Sequence, residues 1–169
     1  MRKVLSVFAA VLLLAACETA SDQSAGTAGT GGATGAGAAP ATAAAARPGP
    51  RPGSQEDLVA NVGDRVFFDF DKSDLKPEAR RTIERWAAWL RQYPNVTVTV
   101  EGHCDERGTR EYNIGLGERR AASAKNFLVS LGIDARRVAT ISYGKERPAV
   151  IGSNEAAWSQ NRRGVMVVN

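Results

Sequence analysis

Val96-Thr97-Val98-Thr99-Val100-Glu101-Gly102-His103-Cys104-Asp105-Glu106-Arg107-Gly108-Thr109 is the stretch whose reading decides the fold. Its first five residues alternate with a period of two and are all β-branched, which specifies a strand with valine on the buried side. Gly102 and Gly108 then frame a charged loop. A helix follows from about Glu111 to Leu131. Its apolar stripe is Gly117, Ala121, Ala124, Leu128 and Leu131, at helical spacing. The small residues come first, so the start of the helix can lie close to a sheet, and Gly132 is placed to cap its end.

Working outward, Val138 to Tyr143 reads as a third strand, followed by a surface turn at Gly144-Lys145-Glu146-Arg147-Pro148. Asn154 to Gln160 allows a short helical turn. Gly164 to Val168 reads as a last strand, preceded by Asn161-Arg162-Arg163. Upstream, Arg65 to Phe70 alternates, and its aromatic content on both faces suggests a central strand. Asp71 to Asp74 is a turn, and Pro77 sits at an early helical position. Leu75, Ala79, Ile83, Ala87 and Leu90 recur at helical spacing, with Trp86 beside them. That helix ends before Tyr93-Pro94, because a residue preceding proline disfavours helical geometry. The order β-α-β-α-β-(α)-β specifies an α+β fold with helices packed on a four-stranded mixed sheet.

The N-terminal third differs in kind. Residues 1–16 read as a signal peptide, with Arg2 and Lys3 before an apolar run from Val4 to Leu14. That run falls short of the roughly 20 residues a membrane-spanning helix requires. Leu14-Ala15-Ala16-Cys17 forms a lipobox, which makes Cys17 the site of lipid attachment. Two or more acyl chains give stable anchoring. Residues 17–56 comprise that cysteine and a linker rich in Ala, Gly, Thr and Pro, with no periodicity able to offset the entropy of folding. About 36 flexible residues have a root-mean-square span of roughly 30–36 Å and a stretched limit of about 120 Å. The folded domain is expected over 57–169. The alternatives are an ordinary secretory signal, which would leave a free periplasmic protein with Cys17 unmodified or cleaved off, and an N-terminal helix of a core.

Composition excludes some functions. The chain has 22 basic and 18 acidic residues, and losing Arg2 and Lys3 with the signal peptide leaves 20 against 18. That surplus of two is too small and too evenly mixed for nucleic acid to be the partner. There is one histidine. His103 and Cys104 are adjacent in extended chain, where neighbouring side chains point to opposite faces, so they do not pair as base and nucleophile. For the same reason His103, Cys104 and Asp105 make a poor metal site. No catalytic residue, metal or cofactor is expected.

Two charges stand out. Asp105 lies in the loop, and Asn113, Leu116 and Arg120 form a stripe on the helix beside its apolar one. Asp105 and Arg120 can face one cleft, with Asp71 as a third contributor. A carboxylate for an ammonium and a forked guanidinium for a carboxylate are what an amino-acid zwitterion requires. An internal Asp105–Arg120 salt bridge that only fixes the loop is the alternative. Arg162 and Arg163 read more readily as a solvated edge than as part of a ligand patch.

At Phe67-Phe68-Asp69-Phe70-Asp71-Lys72, Val98 to His103, Asp105-Glu106-Arg107-Gly108-Thr109, Glu111-Tyr112-Asn113, Leu116-Gly117-Glu118-Arg119-Arg120-Ala121, Ser142 to Glu146 and Asn161-Arg162-Arg163, the chain resembles the peptidoglycan-associated lipoproteins, a branch of the OmpA-like C-terminal domain family. The resemblance implies non-covalent binding of peptidoglycan through the diaminopimelate of its stem peptide. Asp105 and Arg120 fall on the positions that hold that zwitterion. Asp71, Arg107, Asn113 and Leu116 fall on positions lining the same pocket. Cys104 departs from the Thr or Ala often found there. The resemblance also implies TolB and other Tol proteins as partners, a role in outer-membrane integrity and constriction at cell division, and outer-membrane location with the domain facing the periplasm. Glu18, rather than Asp, agrees with that location. Arg120→Ala is expected to cost affinity with little loss of fold. The rivals are a cell-wall hydrolase and a pure protein-interaction module.

Overall fold

The structure is a computed structural model and describes residues 49–169. The signal peptide, Cys17 and the linker as far as residue 48 lie outside the described residues. The elements are α1 (Gln55–Asn61), β1 (Arg65–Phe67), α2 (Pro77–Gln92), β2 (Val98–His103), α3 (Arg110–Ser130), a 3-10 turn (Ala135–Arg137), β3 (Val138–Gly144), α4 (Glu155–Asn161) and β4 (Arg163–Val168). The strands form one sheet in the order β1-β4-β2-β3. β4 runs antiparallel to both its neighbours, and β2 and β3 are parallel. The sheet is mixed and four-stranded, and the α+β reading holds.

The core lies between the sheet and α2 and α3. Val98 and Val100 of β2, Met166 of β4, Ile83, Trp86 and Leu90 of α2, and Ala121, Ala124 and Leu128 of α3 are all buried within it. Burying large apolar side chains stabilises each by about 1.5–3 kcal/mol relative to leaving them exposed. The polar tips inside are satisfied: Trp86 donates to the carbonyl of Gly63 at 2.6 Å and Trp89 to the Asp57 carboxylate at 2.9 Å. Arg137 donates to the carbonyls of Leu90, Tyr93 and Val96, which staples the connection from α2 to β2.

Two details differ from the sequence reading. β1 is a three-residue edge strand, not a central one. Phe67 is exposed on one face, and Phe68, just past the strand, is buried on the other. The residues after Phe67 leave the sheet to build a turn, which is why the aromatic run overstated the strand. α1 was not anticipated, and it begins two residues before the expected domain boundary. Ser54 caps it, Asp57 accepts the N–H of Gly53, and Leu58 is its one core residue. Seven residues with a single core leucine carry too little periodicity to be seen as a helix.

α3 meets β2 without side chains between them. A Cβ built on Gly102 would stand 1.8 Å from the carbonyl oxygen of Gly117. No residue with a side chain fits there. This contact brings the middle of α3 against the end of β2, where the charged loop begins.

Candidate binding site

Three segments converge at that end of the sheet: the turn after β1, the loop from Cys104 to Thr109, and the first three turns of α3. Thr109 caps α3 by accepting from the Tyr112 N–H at 3.2 Å. Asn113 donates to the carbonyls of Arg107 and Thr109, at 2.8 and 3.0 Å. It therefore braces the loop with both amide protons. Between the segments lies a cavity of about 150 Å³. Asp71, Asp105, Arg107, Asn113, Leu116 and Arg120 all line it.

Arg120 has no exposed surface. Its Nε donates to the carbonyl of Lys72 at 2.8 Å, Nη1 to that of His103 at 2.8 Å and Nη2 to that of Asp69 at 3.0 Å. Its guanidinium also lies 5.2 Å from the ring of Phe68. A guanidinium has five N–H donors, so three spent on carbonyls leave two unspent, one on each Nη. Among the described residues no acidic side chain pairs with it. Burial pulls its pKa down, against the attraction of Cys104, Asp105 and Asp71, yet an arginine stays charged at any physiological pH. The result is a fixed, buried cation beside a cavity.

Asp105 is nearly as buried, and its partner is not Arg120. Oδ2 accepts from Nη2 of Arg107 at 2.6 Å and from Nη1 of Arg162 at 3.3 Å. Oδ1 accepts only the backbone N–H of Arg107, at 3.2 Å. A carboxylate offers two lone pairs on each oxygen, so one on Oδ1 is left. Burial alone would raise the carboxyl's pKa, but the Arg107 side chain, the Arg107 N–H and Arg162 outweigh it and hold it below the usual range. The side chains that pair with Asp105 are thus those of Arg107 and Arg162. Asp105 and Arg120 both line the cavity, and no direct bridge joins the two.

The remaining walls come from the turn after β1, the loop and the start of α3. Asp71 adopts a left-handed conformation, φ 56°, alone among the described non-glycine residues, and accepts a hydrogen bond from the Tyr112 hydroxyl. Phe70 and Cys104 complete the lining with Tyr112 and Gly108. Arg162 and Arg163 are both buried, which corrects their reading as a solvated edge. Arg162 joins Asp105, Glu155 and the carbonyl of Phe68, and Arg163 donates to the carbonyls of Asn161 and Arg147. They form the junction between α4 and β4, and nothing in a bare Arg-Arg pair announces that.

His103 and Cys104 face different neighbours. The His103 ring packs on Tyr143 with centroids 5.5 Å apart, and its Nε2 lies 3.3 Å from Glu101. Burial pulls its pKa to about 4, and the nearby Arg163 adds to that. The Cys104 thiol donates to the carbonyl of Asn113 at 3.3 Å, and burial pushes its pKa up to about 11. Among the described residues no cluster of acidic, histidine and cysteine side chains is arranged to hold a metal ion.

The profile of the OmpA family matches residues 67–162, more than half of the chain and the whole of this site, and the chain belongs to that family. Its relatives there include peptidoglycan-associated lipoproteins. The one from Agrobacterium fabrum is 56% identical over 117 residues, covering 69% of this chain and 66% of its own length, just under two thirds. The one from Pasteurella multocida is 40% identical over 165 residues, covering 97% of this chain and 95% of its own. The crystal structure of the peptidoglycan-associated lipoprotein from Burkholderia pseudomallei is similar with a TM-score of 0.61 at 36% identity, over 63% of this chain and 90% of that one.

Proposed function

We propose that this protein tethers the outer membrane to peptidoglycan by holding, without covalent chemistry, the diaminopimelate zwitterion of a stem peptide. The ligand carboxylate meets the two unspent N–H groups of Arg120, and the ligand ammonium meets Oδ1 of Asp105. Asp71 and Tyr112 close one side of the pocket, Leu116 gives it an apolar wall, and Asn113 and Arg107 keep the loop in shape. Acylated Cys17 anchors the chain in the outer membrane, and the linker gives the domain its reach into the periplasm. TolB and other Tol proteins are the protein partners of this reading, which places the chain in envelope integrity and constriction.

The observation that carries it is Arg120. A buried cation without an acidic partner is costly unless something anionic completes it. Here it borders a cavity that the Asp105 carboxylate also lines. Calorimetric titration of the purified protein with a diaminopimelate-containing muropeptide tests it. Saturable binding that disappears in Asp105→Asn is the expected result. A folded wild type that ignores the muropeptide would overturn the reading and leave a protein-interaction module in its place.

A further inference from the structure

Arg107 is held more tightly than a loop residue on a cavity rim usually is. Its guanidinium lies 4.0 Å from the ring centre of Phe70 and 4.1 Å from that of Trp158. The two rings come from segments far apart in the sequence, the turn after β1 and helix α4. Trp158 is itself fixed, donating to the Glu106 carboxylate at 3.0 Å. From this slot Arg107 reaches Oδ2 of Asp105 with its side chain and Oδ1 with its backbone N–H. Arg162 takes the second lone pair of Oδ2 from within the protein. Both cations therefore load the same oxygen, and the open lone pair is on the other one.

Resting on the reading that the site holds a zwitterion, we infer that Arg107, clamped between Phe70 and Trp158, is a positioning residue. It fixes the rotation of the Asp105 carboxylate so that only Oδ1 is offered to a ligand ammonium. The aromatic slot selects arginine for this task, because a planar guanidinium stacks on two rings while its edge donates, and a lysine ammonium does not fill the same space. Trp158 thereby becomes a determinant of binding without touching the ligand.

Three variants test this: Arg107→Gln removes the charge and the stack, Arg107→Lys keeps only the charge, and Phe70→Leu removes one wall at a position that is 55% exposed and so spares the fold. Two readouts are taken on the purified protein, diaminopimelate affinity by calorimetry and, with no ligand present, the Asp105 carboxyl titration by NMR. Arg107→Gln is expected to weaken binding by about tenfold or more and to move the Asp105 titration upward. Phe70→Leu should shift both in the same direction by less. Arg107→Lys should restore much of the titration and little of the affinity. Unchanged affinity and titration in Arg107→Gln would overturn the inference. Tighter binding by that variant would overturn it as well, by making Arg107 a plug that competes with the ligand. If the wild type fails to bind at all, the proposed function falls, and the ligand-free titration still decides whether Arg107 sets the state of Asp105.

Discussion

Nη1 of Arg162, just beyond α4, lies 3.3 Å from Oδ2 of Asp105 in the loop after β2, joining residues 57 positions apart. The carboxylate that faces the cavity is thus anchored from behind by a cation that no ligand needs to displace. One face of Asp105 belongs to the fold and the other is left to the site.

Arg120 behaves differently from what its position on a helix suggests. Removing it takes a donor from three carbonyls, those of Asp69, Lys72 and His103, although the Asp69 carbonyl still accepts the Lys72 N–H at 3.3 Å. Each buried acceptor left unpaired costs about 1–3 kcal/mol. Arg120→Ala is therefore expected to lose several kcal/mol of stability along with binding, contrary to the expectation of an intact fold. Urea unfolding of wild type and variant measures it, and a midpoint within error of wild type would show that these carbonyls find other donors.

The crossing of β2 and α3 gives a sharper structural test. Gly102→Ala puts a methyl group into the carbonyl of Gly117, a backbone atom that has nowhere to go without moving the helix. Overpacking of this kind costs about 1–3 kcal/mol, occasionally more. Thermal melting should show a clear drop. Gly63→Ala is a poor control because its φ of +88° brings backbone strain of its own, so Gly115→Ala, with only the tip of Arg119 nearby, serves instead and should be mild.

His103 sets a pH dependence with a definite sign. Its folded pKa, about 4, lies below the ordinary histidine value of about 6.5. Between those two values the unfolded chain binds a proton that the folded one refuses, so stability falls as pH drops from about 6.5 to about 4. His103→Leu should remove that slope. Chemical unfolding at several pH values reads it directly, and an unchanged slope in the variant would assign the effect elsewhere.

Cys104 should be sluggish toward thiol reagents. A thiol pushed up to about 11 carries little thiolate at pH 8, and its surface is covered. Reaction with a disulfide reagent should be slow in the native protein and fast after denaturation. Rapid labelling of the folded protein would mean that the pocket wall opens often.

The alternation of Val96 to Val100, the small-residue start of α3 and the proline stop of α2 are local signals, and local signals carried most of the architecture. α1 and the edge position of β1 escaped because they depend on what the rest of the chain leaves uncovered. The six candidate residues do gather at one cavity. Their hydrogen bonds were another matter. That Asp105 is tied to Arg162, and that Arg120 spends itself on carbonyls, are consequences of α4 and the turn after β1 folding back over the loop. Sequence spacing has no way to express contacts between segments so far apart. The aromatic slot around Arg107 was invisible for the same reason.

The three carbonyls gathered by Arg120 have a consequence for genetics. Losses of one or two kcal/mol are enough to change the amount of a protein in the cell several-fold. A screen that scores envelope defects will recover changes at codon 120 as low-abundance alleles, with absence of the protein masking absence of binding. Codon 105 faces the opposite situation in part, since Asp105→Asn keeps the shape of the side chain and can still accept from its neighbours. Alleles that separate the presence of this protein from its attachment are therefore to be sought at position 105.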